Sequence, residues 1–216
     1  MPNGTPPARD RASGLMIAIC AALIVFAMMH HPHSISDHGS NAPDDQLLRV
    51  NGIVHVGMIV LVLVMTAGWI GFAMRLGMES SLVRLGLIGS ITGAIANVGA
   101  GAINGIVMPA VKVWFAESTY AENDAVHAVG VFAWEANQAL AGIGLVAVCA
   151  SAVFWSAVLV RTTGAWRWVG ALGLLGGSLG CVGYFTGSID TDVEGFSRFV
   201  FGYAAWSMLV GVRLAR

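Results

Sequence analysis

The sequence predicts an all-α integral membrane protein, a bundle of six transmembrane helices with both termini on the cytoplasmic side. Composition, the spacing of apolar runs and the distribution of arginine all favour this class. Hydrophobic residues make up 56% of the 216 residues and charged residues 11%, less than half the roughly 25% of a soluble domain. A soluble chain of this length cannot bury so much apolar surface, so lipid must solvate much of it.

Each apolar run is predicted to be a helix because backbone in hydrocarbon must satisfy its own hydrogen bonds. The predicted spans are residues 14–29, 52–74, 85–108, 126–160, 168–185 and 196–212. They form one domain, residues 13–214, with outer loops at about 30–48, 109–125 and 186–195. Residues 1–12 contain Pro2, Pro6 and Pro7 and are predicted to be a disordered cytoplasmic tail.

Basic residues predict the orientation. The ends and loops assigned to one side carry Arg9, Arg11, Arg75, Arg84, Arg161, Arg167, Arg213 and Arg216. The other side carries Arg49, Lys112 and Arg198. The positive-inside rule makes the arginine-rich side cytoplasmic, as in a multi-pass protein of a bacterial-type inner membrane. The first span also resembles a signal peptide, but no A-x-A site follows it, so an uncleaved helix is favoured.

Glycines recur at small-xxx-small spacing, which lets helix backbones approach closely in a bilayer. The pairs are Gly89/Gly93, Gly101/Gly105, Gly173/Gly177, Gly176/Gly180 and Gly183/Gly187. This pattern predicts that the third and fifth spans are central in the bundle.

The distribution of histidines indicates that a functional site lies on the outer side, because all six are at or near that side. Four of them follow the first span within nine residues, together with one carboxylate: His30, His31, His33, His38 and Asp37. Met28 and Met29 precede these residues. Imidazole suits zinc, copper or nickel and thioether favours cuprous copper, so this loop is a candidate metal site. The alternative is a solvated, pH-sensitive loop, because the spacing matches no defined site and Pro32 prevents a regular helix.

A second group of polar residues has helical spacing on the second, third and fourth spans, and predicts a vestibule in the outer half of the bundle. Its candidate lining residues are Asn51, His55, Asn97, Asn104, His127 and Glu135. Counting about 20 residues outward from Arg75 places His55 at the outer edge of the hydrocarbon. Asn97 is predicted near mid-membrane, where an unpaired amide is costly.

Residues 50–54 and 103–107 share the sequence Asn-Gly-Ile-Val. The match is too short to indicate duplication and is interpreted as chance. It still places Asn51 and Asn104 at a similar depth near the outer surface.

Several functions fit these patterns. The first is binding of a transition metal ion, held by His127, Glu135 and the histidine loop, or binding of a small solute. Haem ligated by His55 and His127 is the less favoured cofactor. The alternatives are a proton-coupled transporter with Asn97 on its path, an enzyme with His127 and Glu135 as acid and base, and a non-catalytic scaffold. No motif supports an enzyme, and a net charge of −1 without a basic aromatic patch argues against nucleic acid. Expected partners are lipid, a second copy of the chain or another membrane protein.

Overall fold

The computed structural model describes residues 8–31, 45–117, 123–191 and 193–216. Its elements are α1 (Ala8–Met29), α2 (Asp45–Leu76), α3 (Ser81–Ala102), a π-helical turn (Ile103–Val107), α4 (Met108–Glu117), α5 (Asn123–Leu159), α6 (Ala165–Phe185) and α7 (Val193–Ala215). Because α3, the π-helical turn and α4 follow one another without a break, these elements form six continuous rods. Within the described ranges there is no strand, which confirms the all-α prediction for that part of the chain.

Five helical stretches are long and apolar enough to cross a bilayer: Ala8–Met29, Gln46–Leu76, Ser81–Ala116, Asp124–Leu159 and Ala165–Phe185. They support a multi-pass membrane protein. The last helix, α7, is not among them, because Glu194, Arg198 and Arg213 make it less apolar. Its crossing of the membrane stays a prediction.

The outer surface of the bundle is apolar, as a surface facing lipid should be. Side chains such as Phe132, Phe185 and Ile95 are about 70% exposed or more. Polar residues including Asn51 and His55 are instead almost fully buried. This distribution is the reverse of a water-soluble protein, where exposed apolar patches of this extent are rare.

The helices extend beyond the predicted bounds. The first helix begins at Ala8, within the segment predicted as a tail, and Asp10 in its first turn forms an ion pair with Arg75 at 3.1 Å. An acid at a helix N-terminus also interacts favourably with the helix dipole. Residues 45–48, 109–117 and 193–195, which were predicted as loop, are helical. Residues 1–7 of the predicted tail lie outside the described residues.

The centre of the bundle is α5, which corrects the prediction that the third and fifth spans are central. In its most apolar stretch 56% of residues are buried, against 33% or less in the other four candidate spans. Several glycines of α3 and α6 face α5 directly: a Cβ on Gly93 would lie 2.4 Å from Val148 Cγ1, and one on Gly177 would lie 2.8 Å from the carbonyl oxygen of Cys149. The small residues therefore mark the neighbours of the central helix.

The third rod continues through Pro109, where the sequence predicted the start of a loop. Proline lacks an N–H and its ring clashes with the carbonyl four residues earlier, here that of Gly105. The π-helical turn ends at Val107, two residues before Pro109, and the Met108 amide donates to the carbonyl of Ile103, five residues back. This local widening accommodates the proline and lets the helix run to Glu117.

Candidate functional site

A cavity of about 200 Å³ lies between α1, α2, α3, α5 and α7. Most of its wall is apolar, and its histidine and carboxamide residues are His31, His55, Asn97, Asn104, Asn137 and Gln138. Among the described residues that line it, none is Asp, Glu, Lys or Arg. An apolar cavity with a few convergent polar groups is the usual form of a ligand-binding site.

Two buried histidines meet at this cavity. His31 is 7% exposed and His55 is 4% exposed. Their Nε2 atoms are 3.4 Å apart, and the rings are nearly perpendicular, with centroids 4.9 Å apart. This separation is long for an N–H···N hydrogen bond, because such bonds are strongest near 2.9–3.0 Å.

Backbone geometry determines which nitrogen of His55 faces its partner. Nδ1 lies 2.8 Å from the carbonyl oxygen of Asn51. Because a carbonyl oxygen only accepts, Nδ1 carries the hydrogen and Nε2 of a neutral ring has a free lone pair. The His55 lone pair is thus directed towards His31.

The two Asn-Gly-Ile-Val segments pack against each other beside this pair. The side-chain amide of Asn51 donates to the carbonyl oxygen of Asn104 at 2.9 Å. Gly105 lies directly against His55, since a Cβ on that glycine would be 2.4 Å from His55 Cβ. The π-helical turn therefore forms the wall that supports α2 at His55.

The cavity residues of three helices lie at a similar depth, as judged by the number of residues that separates each from an arginine on the same side. Each arginine is about 20 residues from a cavity residue, which corresponds to about 30 Å along a helix and to the thickness of the hydrocarbon. The pairs are Arg11 and His31, Arg75 and His55, and Arg84 and Asn104. The site is therefore about one bilayer thickness from the arginine-rich side.

Other predicted site residues have different positions. Asn97 lines the cavity and Asn51 is buried behind His55. His127 and Glu135 are exposed on α5 and do not line the cavity. His30 is also exposed, and its Nδ1 donates to the carbonyl oxygen of Phe26 at 2.8 Å. His33, His38 and Asp37 lie outside the described residues.

Sequence reasoning missed Met58 and the partner of His55. Met28 and Met58 line the same cavity as the two histidines. A signal was present in the sequence, because Met-x-x-His spans the end of α1 and His-x-x-Met lies in α2, where residues three apart share a helix face. Asn137, Gln138 and Thr191 also reach the cavity, and the hydroxyl of Thr191 donates to the side-chain oxygen of Gln138.

Within the part of the chain that the structure describes, no three His, Cys, Asp or Glu residues come close enough to share a metal ion. Comparison with family models, with curated proteins and with solved structures found no match to this chain.

Proposed function

We propose that the protein binds a transition metal ion at the outer edge of the membrane, with Nε2 of His31 and Nε2 of His55 as ligands. The observation that carries the proposal is their separation of 3.4 Å. Two metal–imidazole bonds of about 2.0–2.1 Å at a tetrahedral angle place their nitrogens about 3.3–3.4 Å apart. The two nitrogens of the pair are already at the separation that a shared ion would require.

The surroundings of His55 also suit a metal ligand. A ligating histidine usually donates its other ring N–H to a carbonyl or carboxylate, which orients the ring. In this chain the acceptor is the Asn51 carbonyl oxygen. The side chain of Asn51 in turn holds Asn104, so the ring is tied to two helices.

The same geometry disfavours the other metal and haem arrangements considered from the sequence. The two axial nitrogens of a haem lie on opposite sides of iron, about 4 Å apart for bonds of about 2 Å. His31 and His55 are closer than that. His127 and Glu135 are exposed on α5, away from the lining residues, so they support neither a haem with His55 nor an ion in the cavity.

We further propose that α7 is the sixth crossing, that both termini are cytoplasmic and that the site opens to the outer side of a bacterial-type inner membrane. Support comes from the arginines at one end of the bundle. A single cysteine placed at Ser188, tested by a membrane-impermeant thiol reagent on intact cells, should be labelled. Labelling only after lysis would overturn this orientation.

The direct test is metal binding by the untagged protein purified in detergent. Near-stoichiometric iron, copper, zinc or nickel is expected after incubation and desalting, measured by elemental analysis. His31→Ala and His55→Ala should each abolish retention. His30→Ala and His127→Ala are matched controls and should retain the ion. A metal-free wild type, or equal retention by all four variants, would refute the proposal.

A second candidate function is binding and transport of a small neutral solute. The observation that favours it is a set of four carboxamides in a cavity whose described lining includes no charged side chain: Asn97, Asn104, Asn137 and Gln138. A volume of about 200 Å³ is slightly larger than the engineered cavity of 150 Å³ that holds benzene. A solute of that size with one or two polar groups would fit.

A further inference from the structure

We infer that the ion is a soft, monovalent one, cuprous copper, and that Met28 and Met58 supply thioether ligands beside His31 and His55. This inference rests on the proposed function and names its metal. It would make the site a mixed imidazole–thioether centre built from the end of α1 and the outer half of α2.

The placement of the four residues supports a shared site. Met28 precedes His31 by three residues across the end of α1. Met58 follows His55 by three residues within α2, a spacing that puts both side chains on one helix face. All four side chains line one cavity. Met28 is only 5% exposed, and the backbone N–H of His31 donates to its carbonyl oxygen at 3.2 Å, which ties the two residues into one turn.

Donor chemistry distinguishes between metals. Thioether sulfur is a soft ligand that selects cuprous copper, whereas carboxylate and water suit harder ions. The described lining of the cavity contains methionines and no carboxylate. The histidine pair also has no third His, Cys, Asp or Glu near it among the described residues. Methionine is therefore the soft donor available to complete the coordination.

Net charge leads to the same metal. Imidazole and thioether are both neutral, so the charge of the complex equals the charge of the ion. A buried charge at the edge of the hydrocarbon is costly unless it is paired. A monovalent ion carries half the charge of zinc or nickel, and therefore suffers the smaller desolvation penalty in a cavity whose described lining has no carboxylate.

Met65 provides an internal control. It lines the cavity and is buried, but it lies ten residues beyond His55 on α2, about 15 Å along the helix axis. It is too far along α2 to share an ion with His55. Replacing it with leucine removes a thioether from the same cavity and the same helix without touching the proposed centre.

The experiment is competition for Cu(I) against a chromogenic cuprous chelator, performed anaerobically with ascorbate on the untagged protein in detergent. Zinc binding is measured in parallel on the same preparations. Wild type and Met65→Leu should bind one Cu(I) per chain with equal affinity. Met28→Leu with Met58→Leu should weaken Cu(I) binding by at least about tenfold, about the smallest effect of losing an outer-shell partner of a metal site, while zinc affinity changes less than twofold.

The outcomes separate this inference from the proposed function. If the wild type binds zinc and the double leucine variant keeps wild-type affinity for Cu(I), the methionines are not ligands and the inference is wrong, although the histidine site stands. An equal loss of zinc affinity and Cu(I) affinity in the double variant would also overturn the inference, because such a loss would indicate a change of packing. If the wild type binds neither metal, both proposals fail. Folding of each variant is checked by size-exclusion elution in detergent.

Discussion

The Nδ1–H of His55 donates to the carbonyl oxygen of Asn51 at 2.8 Å, and this bond directs Nε2 of the ring towards His31. Here the backbone of α2 itself orients the ring, because Asn51 and His55 belong to consecutive turns. The orientation therefore does not depend on a flexible loop.

Bound metal should stabilise the fold. A ligand that binds only the folded state, at 100 times its Kd, adds about 2.7 kcal/mol to the free energy of unfolding. A change of about 1 kcal/mol shifts Tm by about 2–4 °C in a chain of this size. Saturating metal should therefore raise Tm by about 5–10 °C. The measurement is thermal unfolding in detergent with and without ion. In His55→Leu the shift should vanish. A shift of equal size in that variant would mean that the ion binds elsewhere.

Asn51 should matter for stability more than for ligation. Its side-chain amide donates to the Asn104 carbonyl oxygen at 2.9 Å, so Asn51→Ala leaves a carbonyl of the π-helical turn without that donor. The expected cost is about 1–3 kcal/mol, measured by denaturant or thermal unfolding. Val50→Ala, at an exposed neighbouring position, is the control and should change stability by less than about 1 kcal/mol. An equal loss of stability in the two variants would show that the hydrogen bond from Asn51 to Asn104 makes no specific contribution to stability.

Gly105 should be a positioning residue for the histidine pair. A Cβ there would lie 2.4 Å from His55 Cβ, so Gly105→Ala must separate α2 from the π-helical turn. We expect weaker metal binding with every proposed ligand still present. Gly57→Ala is the matched control, because a Cβ at Gly57 meets nothing within 4 Å. Unchanged affinity in Gly105→Ala, with Gly57→Ala also unchanged, would show that the pair tolerates displacement of α2.

Much of the fold could be predicted from the sequence, because hydropathy and backbone hydrogen bonding in lipid strongly constrain membrane helices. The six predicted apolar runs lie within helical rods, except for Val160, which is one residue beyond the end of α5. The extent of the third rod could not be predicted, because a proline such as Pro109 usually ends a helix. Here the preceding π-helical turn allows the helix to continue. The central position of α5 was also missed, because glycine spacing marks a close contact without naming the helix that it touches.

Less of the candidate site could be predicted. Helical spacing placed Asn51 and His55 on one face, and the structure adds that Asn104 lies against them. The pairing of His31 with His55 depends on how α1 packs on α2, and no local pattern carries that information. His127 and Glu135 had the expected i, i+8 spacing, but spacing alone does not say whether a helix face points to the bundle or away from it.

The ion pair between Asp10 and Arg75 should couple α1 to α2 on the arginine-rich side. The nearest atoms are 3.1 Å apart, with the Asp10 side chain 11% and the Arg75 side chain 30% exposed. Removing one partner leaves a largely buried charge unpaired, so Asp10→Asn and Arg75→Gln should each destabilise the protein. A double-mutant cycle should give a coupling of about 0.5–2 kcal/mol. The exposed pair of Arg198 and Glu194 is the comparison, and a coupling no larger than its value would show that burial adds nothing.

Asn97 separates the two candidate functions. It lines the cavity and its side chain lies against Gly144, where a Cβ would come 2.6 Å from Asn97 Oδ1. Asn97→Leu has similar volume but no hydrogen-bonding group, and Asn97 is not a proposed metal ligand.

If the site is a metal centre, the Asn97→Leu variant should bind the ion with wild-type affinity. If Asn97 instead lines a path for a neutral solute, uptake by proteoliposomes should fall at least about tenfold, the effect of losing one good hydrogen bond of about 1.4 kcal/mol, while unfolding stays unchanged. Loss of stability without a change in either activity would assign Asn97 to helix packing, because an amide inside a membrane bundle also serves as an interhelical hydrogen-bonding group.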